Sequence, residues 1–195
     1  MSDRIRISEK ISWEEREDGF SITARPDCAA GEARCLAVAA ATWVLEAVGN
    51  GAEILWPNHV VLEGRRVCGI TCRASEGAVV FAFQPELSAV PVSPEAFRTG
   101  VLEAASAALE SYPANRPELM QRYCEHCLTV MKHVNVTYRG MPVYGFAFAV
   151  DRHGGLMVMT QESRTVITLY GGEAEIAERE ERTGGIPEPL VTPDR

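Results

Sequence analysis

The segment Ile54-Leu55-Trp56-Pro57-Asn58-His59-Val60 is followed, after three residues, by Gly64-Arg65-Arg66-Val67-Cys68-Gly69-Ile70. A proline within a strand marks an edge or an irregular strand, because proline cannot donate to the hydrogen-bond ladder. Such a strand can turn the amide of Asn58 and the next side chain toward a pocket. From these residues alone, an edge strand followed by a hairpin turn explains the pattern equally well.

Charge excludes one large class of partners. The chain has 195 residues with 19 basic and 27 acidic side chains, which gives a net charge of −8 at pH 7. With no basic stripe, a non-specific grip on phosphate backbones is not expected, and we predict no nucleic-acid partner. The only lysines are Lys10 and Lys132, so chemistry that needs an amine is excluded between them.

The lengths of the apolar stretches bear on membrane insertion and on the cellular compartment that we expect. The longest one, Cys35 to Val44, is too short to span a bilayer, and the residues after Met1 do not form an apolar signal region. We therefore expect a cytoplasmic protein with no membrane partner. Its six cysteines are expected to remain thiols in that compartment.

Up to residue 131, periodicity predicts strands and helices that build one α+β domain. Two short strands, at Ile5 to Ile7 and Phe20 to Ile22, are expected to flank a solvated charged connection. The remaining predicted elements are a helix over 29–48, strands over 54–62, 67–72 and 78–83, a helix beginning at Ser93 and Pro94, and a helix over 117–128.

Beyond His133 the pattern changes to short β runs separated by turn residues. Four runs, at 134–138, 143–150, 156–159 and 166–170, are typical of a small antiparallel barrel. We therefore predict three parts: an α+β domain over 1–131, a β domain over 132–176, and a loose acidic tail over 177–195.

The two opening segments resemble the Trp-Pro-Asn-Asp and Arg-Lys-hydrophobic-x-Gly-Ile motifs of biotin–protein ligases, in the biotin/lipoate ligase superfamily. Two further segments are similar to the family's C-terminal domain: the turn Asp151 to Leu156, and Gly171-Gly172-Glu173. The resemblance runs from about Phe20 to Ile176. It implies an α+β fold with a mixed, mostly antiparallel sheet and packed helices, followed by an SH3-like barrel.

Family members join biotin to ATP and pass the acyl group to a lysine of a carrier protein. Three departures fall on this chemistry. His59 replaces the aspartate that helps to hold the nucleotide and magnesium, and Arg66 replaces the lysine that contacts biotin and phosphate oxygens. The family's Gly-Arg-Gly-Arg-x-Gly loop belongs before the strand at Phe20, and residues 1–19 contain no such run.

The departures predict a divergent, non-catalytic or accessory protein that binds an acyl or nucleotide ligand, or another protein, without a required cofactor. The alternative is an active biotin or lipoate ligase that uses ATP and magnesium, with Arg66 in the catalytic role of the lysine. Expected partners are a biotin/lipoyl carrier protein, a complementing ligase-like chain or a second copy in a homodimer. The resemblance implies ligand contacts by these residues: Trp56, Asn58, His59, Arg66, Gly69, Gly171 and Gly172.

A third hypothesis concerns the cysteines, and it does not depend on the resemblance. Cys124 and Cys127 form a Cys-x-x-Cys half-site, and His133 follows nearby. Closing a tetrahedral zinc site needs two more ligands, so a zinc-stabilised interaction module is the least favoured hypothesis. We expect no metal, and buried thiols are the ordinary interpretation of the remaining cysteines.

Overall fold

A computed structural model describes residues 4–6, 10–26, 28, 30–75 and 77–176. The predicted acidic tail over 177–195 lies outside these residues. The elements are β1 (Arg4–Arg6), β2 (Ile11–Arg16), β3 (Gly19–Ala24), α1 (Ala30–Val48), β4 (Ala52–Leu55), β5 (His59–Leu62), β6 (Arg65–Ser75), β7 (Ala78–Pro85), α2 (Pro94–Glu110), α3 (Arg116–Glu125), β8 (Lys132–Tyr138), β9 (Met141–Val150), β10 (Leu156–Thr160), β11 (Val166–Leu169) and β12 (Glu173–Ile176).

The first sheet has seven strands in the order β1-β2-β3-β7-β6-β5-β4. Every strand pairing described in it is antiparallel, so the predicted mixed sheet is corrected to an antiparallel one. A single parallel bridge joins Ile54 of the edge strand β4 to Cys127, outside the named strands. At this bridge the amide of Leu128 donates to the carbonyl of Ile54 at 2.8 Å, and the amide of Ile54 donates to the carbonyl of His126 at 2.8 Å.

Alternation along the strands gives this sheet two different faces. One face carries Phe20, Phe81 and Phe83, against which the helices pack. Trp43 of α1 meets the Phe81 ring edge-on at 5.0 Å between centroids, and Phe97 of α2 meets Phe20 at 6.4 Å. Helix α2 begins at the predicted cap, where Ser93 Oγ accepts from the amide of Ala96 at 3.2 Å. None of the helices in the described part of the chain is long and apolar enough to cross a membrane.

Three predicted boundaries are corrected. The charged residues Glu14 to Arg16 belong to β2, because they form an antiparallel hairpin with β3 rather than a solvated connection. The predicted strand over 54–62 is two strands, with Trp56-Pro57-Asn58 in the turn between them. The predicted helix over 117–128 ends at Glu125, because the chain leaves the helix to pair with β4.

The second sheet has five strands in the order β11-β10-β9-β8-β12. The four predicted β runs are confirmed, and β12 adds a fifth strand by pairing antiparallel with β8. Strands β11 and β12 stand at opposite edges, and no pairing between them is found in the described residues. The closed SH3-like barrel therefore stays a prediction, as does the domain boundary before Lys132, where β8 begins.

Candidate functional site

The turn Trp56-Pro57-Asn58 ties the two sheets together. Trp56 is buried, with 1% of its surface exposed. Its indole Nε1 donates to the carbonyl of Gly154 in the second sheet at 3.0 Å, and its backbone amide donates to Oγ1 of Thr129 at 2.9 Å. Tyr123 of α3 completes the anchoring, since its hydroxyl donates to the Pro57 carbonyl at 2.8 Å.

Asn58 fixes the same turn to strand β6. Its side-chain Nδ2 donates to the carbonyl of Ile70, and the amide of Ile70 donates to the Asn58 carbonyl at 3.1 Å. The side chain thus continues the ladder between β5 and β6 by one more step. A leucine or alanine at this position would leave the Ile70 carbonyl unpaired in a half-buried place.

His59, Gly69 and Arg66 lie together beyond this turn. His59 stands directly opposite Gly69 in the β5–β6 register. A Cβ atom added to Gly69 would collide with the Arg66 guanidinium, so the end of that side chain lies over the glycine. Gly69 is buried while Arg66 is exposed. The structure therefore brings three predicted ligand residues to one spot on the sheet.

This spot is one end of a polar face, on the side of the first sheet opposite α1 and α2. Residues directly opposite each other on antiparallel strands share a face. Gln84 therefore continues the row of His59 and Gly69, and its Nε2 donates to Oδ2 of Asp18 at 2.6 Å. The next row is formed by Thr71, Ala82, Ser21 and Glu14. Small side chains line the middle, Arg66 and His59 stand at one end, and the carboxylates of Glu14 and Asp18 stand at the other.

A cavity of about 480 Å³ lies on the other side of the turn, between α1 and the second sheet. Gly171 lies in its wall together with Trp56 and Asn58. Gly172 adjoins it at a φ of +117°, where a Cβ would collide with the carbonyl of Thr137. The wall is formed by Ala37, Val38, Trp56, Pro57, Asn58, Cys72, Tyr138, Arg139, His153, Gly154, Tyr170 and Gly171.

The predicted ligand residues thus form two groups rather than one. Sequence reasoning misses Tyr138, Arg139 and His153 as neighbours of the Trp56 turn, because nothing local indicates which turns of one sheet approach the other. The sequence does predict a turn from Asp151 to Leu156, because that segment contains turn residues. It does not indicate that this turn contacts Trp56.

Asp151 shapes the turn that faces the cavity. Its Oδ1 accepts from the amides of His153 and Gly155, both at 2.8 Å, and its Oδ2 accepts from the Tyr170 hydroxyl at 2.6 Å. Burial acts to raise the pKa of this carboxyl, but these hydrogen bonds outweigh it and lower the pKa below its usual value. The carboxylate is therefore ionised near neutral pH, and it holds Gly154 against Trp56.

The three zinc candidates are not gathered into one site. Cys124 lies in the last turn of α3, Cys127 lies beyond the helix against β4, and His133 lies on β8 with its ring 5.3 Å from that of Phe146. No group of three or more His, Cys, Asp or Glu side chains in the described part of the chain could hold a metal ion. Burial raises the pKa of both thiols, which favours the protonated form over the thiolate that zinc requires.

Comparison with solved structures identifies the fold. Biotin protein ligase from Aquifex aeolicus superposes with a TM-score of 0.61 at 15% identity, over 83% of each chain. The same enzyme in complex with biotin and ATP gives 0.60 at 14% identity, over 83% of this chain and 79% of that one. A biotin protein ligase-like protein of unknown function from a Silicibacter species gives 0.56 at 14% identity, over 84% and 80%.

The chain has the biotin protein ligase fold. The predicted resemblance is confirmed at this level, and identity of 14 to 15% establishes the fold without the activity. No family model matches the chain, and no curated protein sequence matches it.

Within the biotin protein ligase fold, the residues that match the family motif and those that depart from it have different surroundings. Trp56, Asn58 and Ile70 match, and they are held by the hydrogen bonds described above. His59 and Arg66 depart, and both reach the polar face beside Gly69. His59 and Arg66 therefore lie together on the sheet, apart from the residues that anchor the turn.

Proposed function

We propose that this protein is a non-catalytic member of the biotin protein ligase fold that binds a small carboxylate-bearing ligand on its polar face. The observation that carries the proposal is the pairing of His59 and Arg66 beside Gly69. A guanidinium offers two parallel donors to a carboxylate, and an imidazole can add a third. The small residues that continue the face leave room for the rest of the ligand.

The same residues do not fit magnesium. Magnesium prefers oxygen ligands in octahedral geometry, whereas His59 offers nitrogen and Arg66 offers only donors. The carboxylates of the polar face, on Glu14 and Asp18, belong to its other end and already accept hydrogen bonds from Ser21 and Gln84. These residues therefore do not fit a magnesium site, and the proposed function includes no magnesium-bound nucleotide.

The chain before β3 also differs from a phosphate-binding loop. Strand β2 leads directly into β3 through a tight turn at Glu17 and Asp18. An acidic hairpin repels phosphate, and its first glycine is Gly19, where the turn ends. A Cβ on Gly19 would collide with the Phe83 carbonyl, so this glycine serves strand packing.

These features support an accessory role beside a catalytic partner. A complementing ligase-like chain would supply the phosphate loop, and a biotin/lipoyl carrier protein would be the target that such a pair shares. A homodimer built through an edge of the first sheet is a further form of the same proposal, because an edge strand offers unpaired backbone groups. No cofactor is required for ligand binding itself.

Titration calorimetry of the purified protein with biotin, lipoate and octanoate tests the proposal. We expect one of these acids to bind with a saturating isotherm, without added magnesium or ATP. Replacing Arg66→Gln should weaken that binding about 10-fold or more, because a charge-assisted hydrogen bond is lost. Arg122→Gln on α3, where the arginine pairs with Glu46 away from the polar face, is the control and should leave affinity unchanged. Absence of binding by all three acids would refute the proposal.

A second candidate is an active ligase, which is favoured by the position of Arg66. The guanidinium keeps a positive charge beside Gly69, where the family has its lysine. An active enzyme would form an acyl-adenylate from ATP and one of the same acids, and Arg66→Ala would abolish it. Sustained heat release that requires both ATP and the acid, rather than a single isotherm, would favour this candidate.

A further inference from the structure

The cavity of about 480 Å³ between the Trp56 turn and the second sheet is a separate concave site. Its volume lies within the usual range for pockets that hold small organic molecules. Six parts of the fold form it: the middle of α1, the Trp56 turn, Cys72 of β6, the β8–β9 turn, the β9–β10 turn and the turn after β11. Arg66 and Gly69, which carry the proposed function, are not among its wall residues.

The described wall of this cavity contains a positively charged side chain and no negatively charged one. Arg139 is its only arginine or lysine, and none of its described wall residues is an aspartate or glutamate. Among the described residues, no carboxylate forms an ion pair with Arg139. The nearby carboxylate of Asp151 is already engaged by Tyr170 and two backbone amides. Within the described part of the chain, the guanidinium therefore has no internal anion to neutralise it.

Arg139 is nevertheless held in place. Its guanidinium carbon lies 5.2 Å from the centroid of the Tyr138 ring, a cation–π contact. Its backbone has a φ of 53°, in the left-handed region that side chains rarely adopt. The β8–β9 turn thus places this exposed arginine in the wall of the cavity, with its guanidinium against the Tyr138 ring.

The rest of the wall suits an organic body. Ala37, Pro57 and Cys72, which are partly exposed, supply apolar surface. His153 also lies in the wall, and its Nε2 accepts from Arg152 Nε at 3.1 Å. Apolar walls with a few convergent polar groups are typical of ligand sites.

We propose that this cavity binds a small organic anion, a carboxylate or phosphate ester on a planar apolar body, through Arg139. The site is distinct from the polar face and does not depend on the proposed function. The anionic group pairs with the guanidinium, and the body lies against Ala37 and Pro57. Because Pro57 belongs to the first sheet's β4–β5 turn and Arg139 to the second sheet's β8–β9 turn, such a ligand contacts both sheets at once.

Amide-resolved NMR titration of the full chain tests the proposal with three matched probes: 2-naphthoate, 2-naphthyl phosphate and uncharged 2-naphthamide. We expect one or both anions to saturate the protein and to shift the amide signals of Gly154, Gly171 and Arg139. The uncharged 2-naphthamide should bind at least 10-fold more weakly than the anions, because it cannot form an ion pair with the guanidinium. A preference between the two anions identifies the anionic group.

Three variants test whether Arg139 and the cavity wall bind the anion. Arg139→Gln should raise the dissociation constant about 10-fold or more. Arg164→Gln is the matched control, since Arg164 is also a turn arginine of the second sheet with a φ of 50°, outside the cavity wall. Ala37→Phe should block binding without changing charge, and thermal unfolding verifies that each variant is folded.

Three results would overturn the proposal. The first is no saturable binding of either anion to the wild-type protein at millimolar concentration. The second is an equal loss of affinity in Arg139→Gln and Arg164→Gln. The third is binding that shifts Gly69 and Gln84 and responds to Arg66→Gln alone, which would assign the anion to the polar face and leave the proposed function standing.

Discussion

The segment from Trp56 to Ile70 contains two kinds of residue: some are anchored by hydrogen bonds to other parts of the fold, and others reach the polar face of the sheet. Trp56 and Asn58, which match the ligase motif, are anchored through Gly154, Thr129 and Ile70. His59 and Arg66, which depart from it, reach the polar face of the sheet. The matching residues hold the turn to the second sheet and to β6. Of the departing residues, Arg66 is exposed and His59 is partly buried.

This difference explains why the motif identifies the fold better than it identifies the chemistry. A buried hydrogen bond that joins two sheets constrains the residue type, whatever the protein binds. An exposed arginine is constrained mainly by its ligand. The contrast can be tested by changing residues in each half and measuring stability and binding separately.

The largest expected effect is that of Trp56→Ala. The substitution removes a fully buried indole and unpairs the Gly154 carbonyl, so we expect a loss of about 3–5 kcal/mol in the free energy of unfolding. Urea denaturation measures it. Trp56→Phe retains most of the volume and should lose about 1–3 kcal/mol, the part due to the unpaired carbonyl. A loss below about 1 kcal/mol in the alanine variant would show that the turn does not tie the sheets together.

Gly154→Ala is expected to have the second largest effect on the free energy of unfolding. Its φ is +85°, and the new Cβ would collide with the Val38 side chain. Strain and overpacking together should lower stability by about 2–4 kcal/mol. Gly140→Ala is the matched control, because Gly140 has a φ of +76° with open space around it, and it should lose only about 1–2 kcal/mol. Equal losses in the two variants would contradict the close approach of Gly154 to α1.

Asp151→Asn should have a smaller effect that depends on pH. The folded pKa of this carboxyl is lowered, so its ionised form stabilises the protein above the unfolded value of about 3.9. That contribution is lost as the pH falls through the folded pKa. We expect wild type to exceed the variant by about 1 kcal/mol at pH 7, with the difference shrinking below about pH 4. A difference that grows on acidification would refute the assignment.

Arg66→Ala should have the smallest effect on stability. The side chain is exposed, so we expect the free energy of unfolding to change by less than about 0.5 kcal/mol. Ligand affinity in the same variant should nevertheless fall about 10-fold. A large loss of stability without a change in affinity would place Arg66 with the structural half of the motif.

Sequence alone predicts the succession of elements, because period and turn residues carry that information locally. The Ser93 cap, the α1 helix and the β runs after His133 all follow from short-range signals. The end of α3 at Glu125 escapes such signals, because pairing of the following residues with β4 overrides helical periodicity. Arg139 and His153 escape them because their importance depends on the approach of two distant turns to Trp56.

The most direct test of the central claim is pyrophosphate release by the purified wild-type protein with ATP, magnesium and each of biotin, lipoate and octanoate. A functional biotin protein ligase is the positive control, and the protein without acid is the blank. We expect release at the blank rate under conditions in which calorimetry shows the acid bound. Release above the blank that saturates with one acid and is abolished in Arg66→Ala would contradict a non-catalytic role.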